Sequence, residues 1–255
     1  MPKVVKALCD ALSLAVRPIS ANASFFFFMY ALGCVSSWAV LPDSRGAKVY
    51  DNLYLELLLD TYVVCIVLSI LPLVVRRWVR GLLYVALYAT SVIDVYCFVK
   101  FQSTLTPSML MLVGETDPRE AGEFLRSCVS PGVITSSVGW VLLLLIVHVL
   151  TALRLKFPHI IPHHIEQKLC KIGKLVAAFA SRSMTKAVTG LVIVVMVIWA
   201  AVVSADNKQA TWKLMSGTNI GEVEHTLTEQ GHAQLYLPAY RLVFSVYANS
   251  LAAKQ

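Results

Sequence analysis

The chain has 255 residues, of which 57% are hydrophobic and 15% are charged, and its mean hydropathy is +0.68. The high hydropathy excludes a disordered chain. Soluble domains carry about 25% charged residues, so the lower charged fraction of this chain favours a membrane protein. The formal net charge of +7 would indicate a nucleic-acid partner in a soluble domain. In a membrane protein, the position of the charges along the chain decides what they mean.

Five apolar segments are long enough to cross a bilayer as helices. A hydrocarbon core about 30 Å thick needs roughly 20 helical residues, with every backbone polar group bonded internally. We therefore predict an all-α membrane protein with five transmembrane helices, at residues 24–41, 52–75, 81–100, 133–153 and 187–204. The predicted divisions are an amphipathic cytoplasmic segment (1–23), a transmembrane domain with an outer loop (24–204, loop 102–132) and outer juxtamembrane helices (205–255).

Lys and Arg are distributed unevenly over the segments that connect these helices. With the N-terminus inside, the inner segments carry 13 cations against two acids, Asp10 and Glu166, whereas the outer segments carry nine cations and ten acids. Because Lys and Arg in short loops stay on the cytoplasmic side, we predict a cytoplasmic N-terminus and an outer C-terminus. The positive charge then faces anionic lipid, and no nucleic-acid partner is expected.

Three carboxylates, Glu56, Asp60 and Asp94, fall inside the predicted second and third transmembrane helices. A charge at that depth costs at least about 2.5 kcal/mol on insertion scales, so such groups face protein or water. Glu56 and Asp60 are four residues apart and share one helical face. They either line a polar cavity for a lipid headgroup, or the helix starts later and both lie in the interface. For Asp94 we predict structural pairing, with Lys100 or a tyrosine such as Tyr88 as the partner.

The outer loop contains a pattern typical of a helix start. Thr116 can cap the helix, Pro118 suits its first turn, and Glu120 favours the positive end of the helix dipole. We predict a short helix at residues 118–126, preceded by an apolar interfacial helix at 107–113. Glu115, Glu120 and the neighbouring acids can also contact an ammonium headgroup or a metal, and their spacing leaves that alternative open.

The histidines carry weaker signals. His159, His163 and His164 are spaced like metal ligands, but two prolines interrupt any helix there, and the segment is basic. We predict an interfacial loop at this position and no metal site in the chain. His148 falls in the fourth predicted transmembrane helix, where we expect its ring to be satisfied by neighbours in the bundle.

Two regions of the chain resemble bacterial membrane phosphoethanolamine transferases. One is the outer loop, with TPSM (106–109) followed by TDPREAGEFL (116–125). The other is the tail, with NIGEVEHTLTEQG (219–231) and YLPAYRLVFSVYANSLAAKQ (236–255). Five membrane spans, a cytoplasmic N-terminus and an exit to the periplasm after the fifth span agree with that family. The resemblance extends over nearly the whole chain.

The resemblance implies a location in the bacterial inner membrane and a further, periplasmic α/β domain of the alkaline phosphatase and sulfatase type. In the family, that domain carries a zinc-bound threonine nucleophile, which takes phosphoethanolamine from phosphatidylethanolamine and passes it to lipid A or another envelope acceptor. Residue 255 stands about where that domain should begin. We therefore expect the zinc and its ligands in that domain, no catalytic residue in this chain, and no activity from this chain alone.

The resemblance also gives residues of this chain a role on the donor side. Glu120, with Thr116 and Glu115 beside it, is expected to face the lipid donor, whose ammonium group suits a carboxylate. Tyr240 and Arg241 are expected in the helix that leads to the catalytic domain, where Arg241 either pairs with a phosphate or packs as part of a linker. We predict a membrane-anchoring domain that binds phosphatidylethanolamine; the alternative is a stand-alone membrane binding or scaffold protein.

Overall fold

The structure is a computed structural model that describes residues 3–40, 47–108, 110–111, 119, 131–156, 183–215 and 237–252. Every regular element within these residues is a helix. The helices are α1 (Lys3–Ala21), α2 (Ala23–Val40), α3 (Ala47–Ile70), α4 (Leu73–Phe101), α5 (Pro131–Ile134), α6 (Ser137–Lys156), α7 (Ser183–Met215) and α8 (Pro238–Ala252).

Four of these helices contain stretches long and apolar enough to cross a membrane, namely Ala23–Val40, Leu53–Ile70, Leu73–Phe101 and Ala187–Ala205. Helix α6 contributes a shorter apolar stretch, Ser137–Leu153. The prediction of an all-α membrane protein is confirmed. The fifth membrane span depends on the shorter stretch in α6 and stays a prediction, as do the orientation of the chain and its division into segments.

Two helices are longer than the apolar pattern predicts. Helix α4 begins at Leu73 rather than at residue 81, so Arg76, Arg77 and Arg80 lie in the helix and not in a loop. Helix α7 runs from Ser183 to Met215 and continues past the predicted end at residue 204. Arg and Lys are good helix formers, so a helix need not end where its apolar residues end. Pro72 marks the true break, because it lacks an N–H group and can only precede a helix or sit in its first turn.

Helix α2 packs against α3, α4 and α6 and carries much of the buried core. Phe25, Phe28 and Leu32 of α2 are buried with Val95 of α4 and Val141 of α6. The hydrophobic effect contributes little to helix association inside a membrane, so close packing and interhelical hydrogen bonds stabilise the bundle.

Helix α1 packs along α7 and α3. A Cβ atom at Gly190 of α7 would lie 2.6 Å from the carbonyl carbon of Leu12 and closer still to its oxygen, so only glycine permits this approach. The Tyr62 hydroxyl of α3 donates a hydrogen bond of 3.0 Å to the carbonyl oxygen of Ala15. Where α1 meets α2, the buried Asn22 amide donates to the Cys65 carbonyl and to the Ser69 hydroxyl of α3. The predicted N-terminal helix is therefore present and is fixed to two other helices.

Candidate functional site

Polar residues from three helices meet where α8 packs against the bundle. Glu56 and Asp60 occupy successive turns of α3, Asp94 lies on α4, and Tyr240 and Arg241 lie in the first turn of α8. The Glu56 and Asp94 side chains are fully buried, and Arg241 is 2% exposed. Charged groups are almost never buried to this extent unless they are paired, so their partners define the site.

Asp94 contacts both α8 and the segment that follows its own helix. Its Oδ2 atom lies 3.6 Å from Nε of Arg241, and its Oδ1 atom accepts a 3.0 Å hydrogen bond from the Leu105 backbone N–H. The prediction of structural pairing for Asp94 is confirmed, but both suggested partners are wrong. Lys100 lies on the same helix as Asp94, and the true cation comes from a different helix, remote in sequence.

Tyr88 instead belongs to a second polar contact on the other side of α4. Its hydroxyl lies 3.1 Å from Nδ1 of His148, and the Phe28 ring stacks on the imidazole with ring centroids 4.1 Å apart. The prediction that His148 is satisfied within the bundle is confirmed. This histidine contributes to packing between α2, α4 and α6.

Asp60 accepts a hydrogen bond from Tyr240. The phenol oxygen of Tyr240 lies 2.7 Å from Oδ2 of Asp60, which joins α8 to α3 across 180 residues of sequence. Burial, and after it the Asp60 carboxylate, raises the pKa of Tyr240 above its ordinary value; Glu56 adds a smaller effect of the same sign. Tyr240 therefore stays protonated and donates to Asp60 throughout the physiological pH range.

A polar stripe explains why α8 docks at this place. Arg241, Ser245 and Asn249 recur every four residues and share one face of the helix. Ser245 donates to the Leu105 carbonyl oxygen at 3.4 Å, and Asn249 donates to the Pro107 carbonyl oxygen at 3.2 Å. These contacts satisfy backbone groups in the segment that follows α4, which would otherwise be costly to bury.

Beside this junction lies a cavity of about 330 Å³ between α2, α3, α4 and the start of α8. Its lining is mostly apolar and includes Phe25, Leu32, Leu57, Val64, Leu83 and Leu87. Asp60 and Tyr240 form part of the wall, and Leu237, Pro238 and Ala239 line it from the side of α8. An apolar cavity with a carboxylate and a phenol in its wall suits an amphiphile with a cationic or hydrogen-bonding end.

The sequence-predicted residues divide into two groups. Glu56, Asp60, Tyr240 and Arg241 are brought together by α3 and α8. Helix α3 begins at Ala47, so it does not start later than predicted. The position of Glu56 and Asp60 in a cavity or in the interface stays a prediction. The other predicted donor-side residues, Glu115, Thr116 and Glu120, lie outside the described residues.

Sequence reasoning missed the docking of α8. The sequence predicts Lys100 or a tyrosine as the partner of Asp94, and it gives no separate prediction for Ser245 or Asn249. The four-residue repeat of polar side chains from Arg241 onward was the available signal. It marks a polar face, although it does not say which helix that face meets.

Within the described part of the chain, no group of three or more His, Cys, Asp or Glu side chains is placed to hold a metal ion. The fold and the site define an all-α membrane protein with an apolar cavity and a buried network of acids beside it. No protein-family model, curated protein or solved structure matches the chain. Its function must therefore be argued from the residues of the site.

Proposed function

We propose that this chain is the membrane domain of a phosphoethanolamine transferase of the bacterial inner membrane, and that its cavity binds the phosphatidylethanolamine donor. The observation that carries the proposal is the Asp60–Tyr240 pair in the wall of an otherwise apolar cavity. Phosphatidylethanolamine combines acyl chains with a primary ammonium group, and the cavity offers a partner for each.

The chemistry of the cavity matches an ammonium group better than a phosphate. Asp60 presents a carboxylate, and Tyr240 directs its hydroxyl to that carboxylate and restricts its orientation. Glu56 lies one turn before Asp60 on the same helix, which adds a second carboxyl group to the same region. The cationic Arg241 is turned to Asp94. A primary ammonium has three N–H donors, and a choline headgroup has none, so the site discriminates between these two lipids.

The volume limits how much of a lipid enters. Ligand pockets have volumes of about 300–1,000 Å³, and this cavity, at about 330 Å³, lies at the lower end. It suits the headgroup region or part of one acyl chain, with the rest of the lipid remaining in the bilayer.

The transferase activity itself needs residues that this chain is not expected to supply. We propose that the N-terminus is cytoplasmic, and that a zinc-dependent catalytic domain on the periplasmic side transfers phosphoethanolamine to lipid A or another envelope acceptor. Glu115, Thr116 and Glu120 of the outer loop would then face the donor headgroup.

A lipid-binding experiment tests the donor site. The full chain, reconstituted in nanodiscs, should retain phosphatidylethanolamine over phosphatidylcholine when bound lipids are counted by native mass spectrometry. Asp60→Asn should lower this preference about tenfold or more, because a hydrogen bond to a charged group contributes about 1.5–3 kcal/mol. Asp10→Asn is the matched control, since Asp10 is exposed on α1 and is not part of the cavity lining. An unchanged preference in Asp60→Asn would refute the donor site.

A second experiment separates the transferase from a stand-alone binding protein. Membranes containing a fluorescent phosphatidylethanolamine donor are assayed with this chain and with the chain extended through its downstream reading frame. Transfer by the extended protein alone supports the anchor and donor-site proposal. Lipid binding without transfer by either protein supports the binding or scaffold protein.

A further inference from the structure

The N-terminal part of α4 extends beyond what a bilayer core requires. Helix α4 has 29 residues, and at 1.5 Å per residue it is about 43 Å long, against a hydrocarbon core of about 30 Å. The 20 residues at positions 81–100 suffice to cross that core. The eight residues before them, 73–80, extend the helix by about 12 Å.

This extension has a cationic face and an apolar face. At 3.6 residues per turn, Arg76, Arg77 and Arg80 fall within an arc of about 100°. Arg77 is exposed, and Arg76 and Arg80 are half-buried. The adjoining face, which begins about 100° beyond Arg77 around the helix, carries Trp78, which is 79% exposed, and continues one turn further with Leu82. An exposed tryptophan at this height is typical of the membrane–water interface.

The positive charge of the cationic face is not neutralised by the described protein. Within the described residues, the structure records no ion pair for Arg76, Arg77 or Arg80. The helix also begins there without a side-chain cap at Pro72, so its first backbone N–H groups add partial positive charge. Three guanidinium groups beside a helix N-terminus favour phosphate oxygens, which arginine binds in bidentate geometry.

We propose that Arg76, Arg77 and Arg80 form a binding site for the phosphate of an anionic phospholipid, whose acyl chains lie along Trp78 and Leu82. The two faces of the extension match the two parts of one lipid molecule. None of these five residues lines the cavity, so the site is independent of the function proposed for the cavity.

The general tendency of arginines to remain on the cytoplasmic side also places cations here. That tendency needs no contact with a particular lipid, whereas the proposed site requires a preference for anionic lipid next to Trp78. Fluorescence quenching of this tryptophan separates the two explanations.

The test uses the full chain in nanodiscs that contain brominated phosphatidylglycerol or brominated phosphatidylcholine. The Trp78→Phe variant supplies the signal of the other tryptophans, which is subtracted. We expect half-maximal quenching of Trp78 at a far smaller fraction of the anionic lipid than of phosphatidylcholine. Each arginine is expected to contribute about fivefold to this preference, from about 1 kcal/mol per cation near an anionic surface.

Variants of the arginines decide the outcome. The triple change of Arg76, Arg77 and Arg80 to Gln should abolish the preference, and the triple change to Lys, which keeps the charge but loses the bidentate geometry, should retain only part of it. Lys100→Gln, at the other end of α4, is the control and should have no effect. If the triple Gln variant fails to insert, Arg76→Gln and Arg80→Gln alone should each reduce the preference about fivefold.

Three results would overturn the proposal. One is equal quenching of Trp78 by the two lipids in the unaltered chain, and another is an undiminished preference in the Gln variants. The third is displacement of the anionic lipid by millimolar inorganic phosphate, which would indicate a site for a soluble anion rather than for a lipid.

Discussion

The ion pair between Asp94 and Arg241 should be the strongest single contact holding α8 to the membrane helices. Both side chains are almost completely excluded from solvent, with 0% and 3% exposed. Arg241→Met removes the cation and leaves the Asp94 carboxylate buried with the Leu105 N–H as its hydrogen-bond donor. Breaking a buried pair from one side costs about 3–5 kcal/mol, because the remaining charge is left uncompensated.

The same reasoning predicts a rescue. Asp94→Asn keeps the size of the side chain and the carbonyl oxygen that accepts from Leu105, but it removes the charge. Combined with Arg241→Met, it leaves neither charge in the interface. Replacing both members of a buried pair by neutral groups is often close to neutral for stability. The double variant should therefore be more stable than Arg241→Met alone.

Hydrogen exchange of the α8 amides measures this effect directly. A loss of about 3 kcal/mol corresponds to exchange more than about 100-fold faster in Arg241→Met, and the double variant should recover most of the protection. Amides of α2 are the internal control and should be unaffected, which distinguishes undocking of α8 from general unfolding. Equal exchange in the double variant and in Arg241→Met would refute the role of the ion pair.

Three further predictions concern other contacts. Gly190→Ala should lower the thermal unfolding temperature in detergent, because overpacking costs about 1–3 kcal/mol. Gly81→Ala is the control, because its Cβ would meet no heavy atom within 4 Å; equal effects of the two changes would contradict the close approach of α1 and α7. Tyr62→Phe should cost about 0.5–1.5 kcal/mol of stability through the lost hydrogen bond to α1, and no loss would mean that this bond forms only weakly. Because the pKa of Tyr240 is raised, its contribution to the docking of α8 should be constant up to the ordinary tyrosine pKa of about 10 and disappear at higher pH. The tyrosinate absorbance of the chain minus that of Tyr240→Phe should be zero below that pH, and a signal there would contradict the prediction.

Apolar length predicted the position of α2 well and that of α3 less well: the predicted helix at 52–75 is wrong by five residues at each end, because α3 spans Ala47–Ile70. Helix α2 was expected at residues 24–41 and spans Ala23–Val40. The boundary of α4 was wrong by eight residues, since apolar content shows where the hydrocarbon core lies and not where the helix begins. Arg76 and Arg77 continue a helix as readily as leucine does. Pro72 marks the boundary between α3 and α4 in the sequence, because proline cannot continue a helix, whereas the charged residues after it can.

The site was predictable only within single helices. The four-residue spacing of Glu56 and Asp60 correctly placed both on one helical segment, because such spacing is a property of one helix. The contact of Asp60 with Tyr240 spans 180 residues, and nothing in local periodicity specifies which distant helix supplies a partner. The same limit explains why Asp94 was assigned a partner close in sequence and not Arg241.

The packing of α1 has a consequence for how the protein is made. Helix α1 leaves the ribosome before the other described helices, and its most extensive described interface is with α7, which is synthesised much later. Contacts of α2 with α3 and α4 can form as soon as those helices insert, but the groove at Gly190 does not exist until α7 is complete. Helix α1 must therefore remain at the membrane with part of its packing surface exposed until α7 has been synthesised. Closure of the bundle is a late event in biogenesis, and a chain stalled before α7 would carry an undocked α1 for quality-control proteases to recognise.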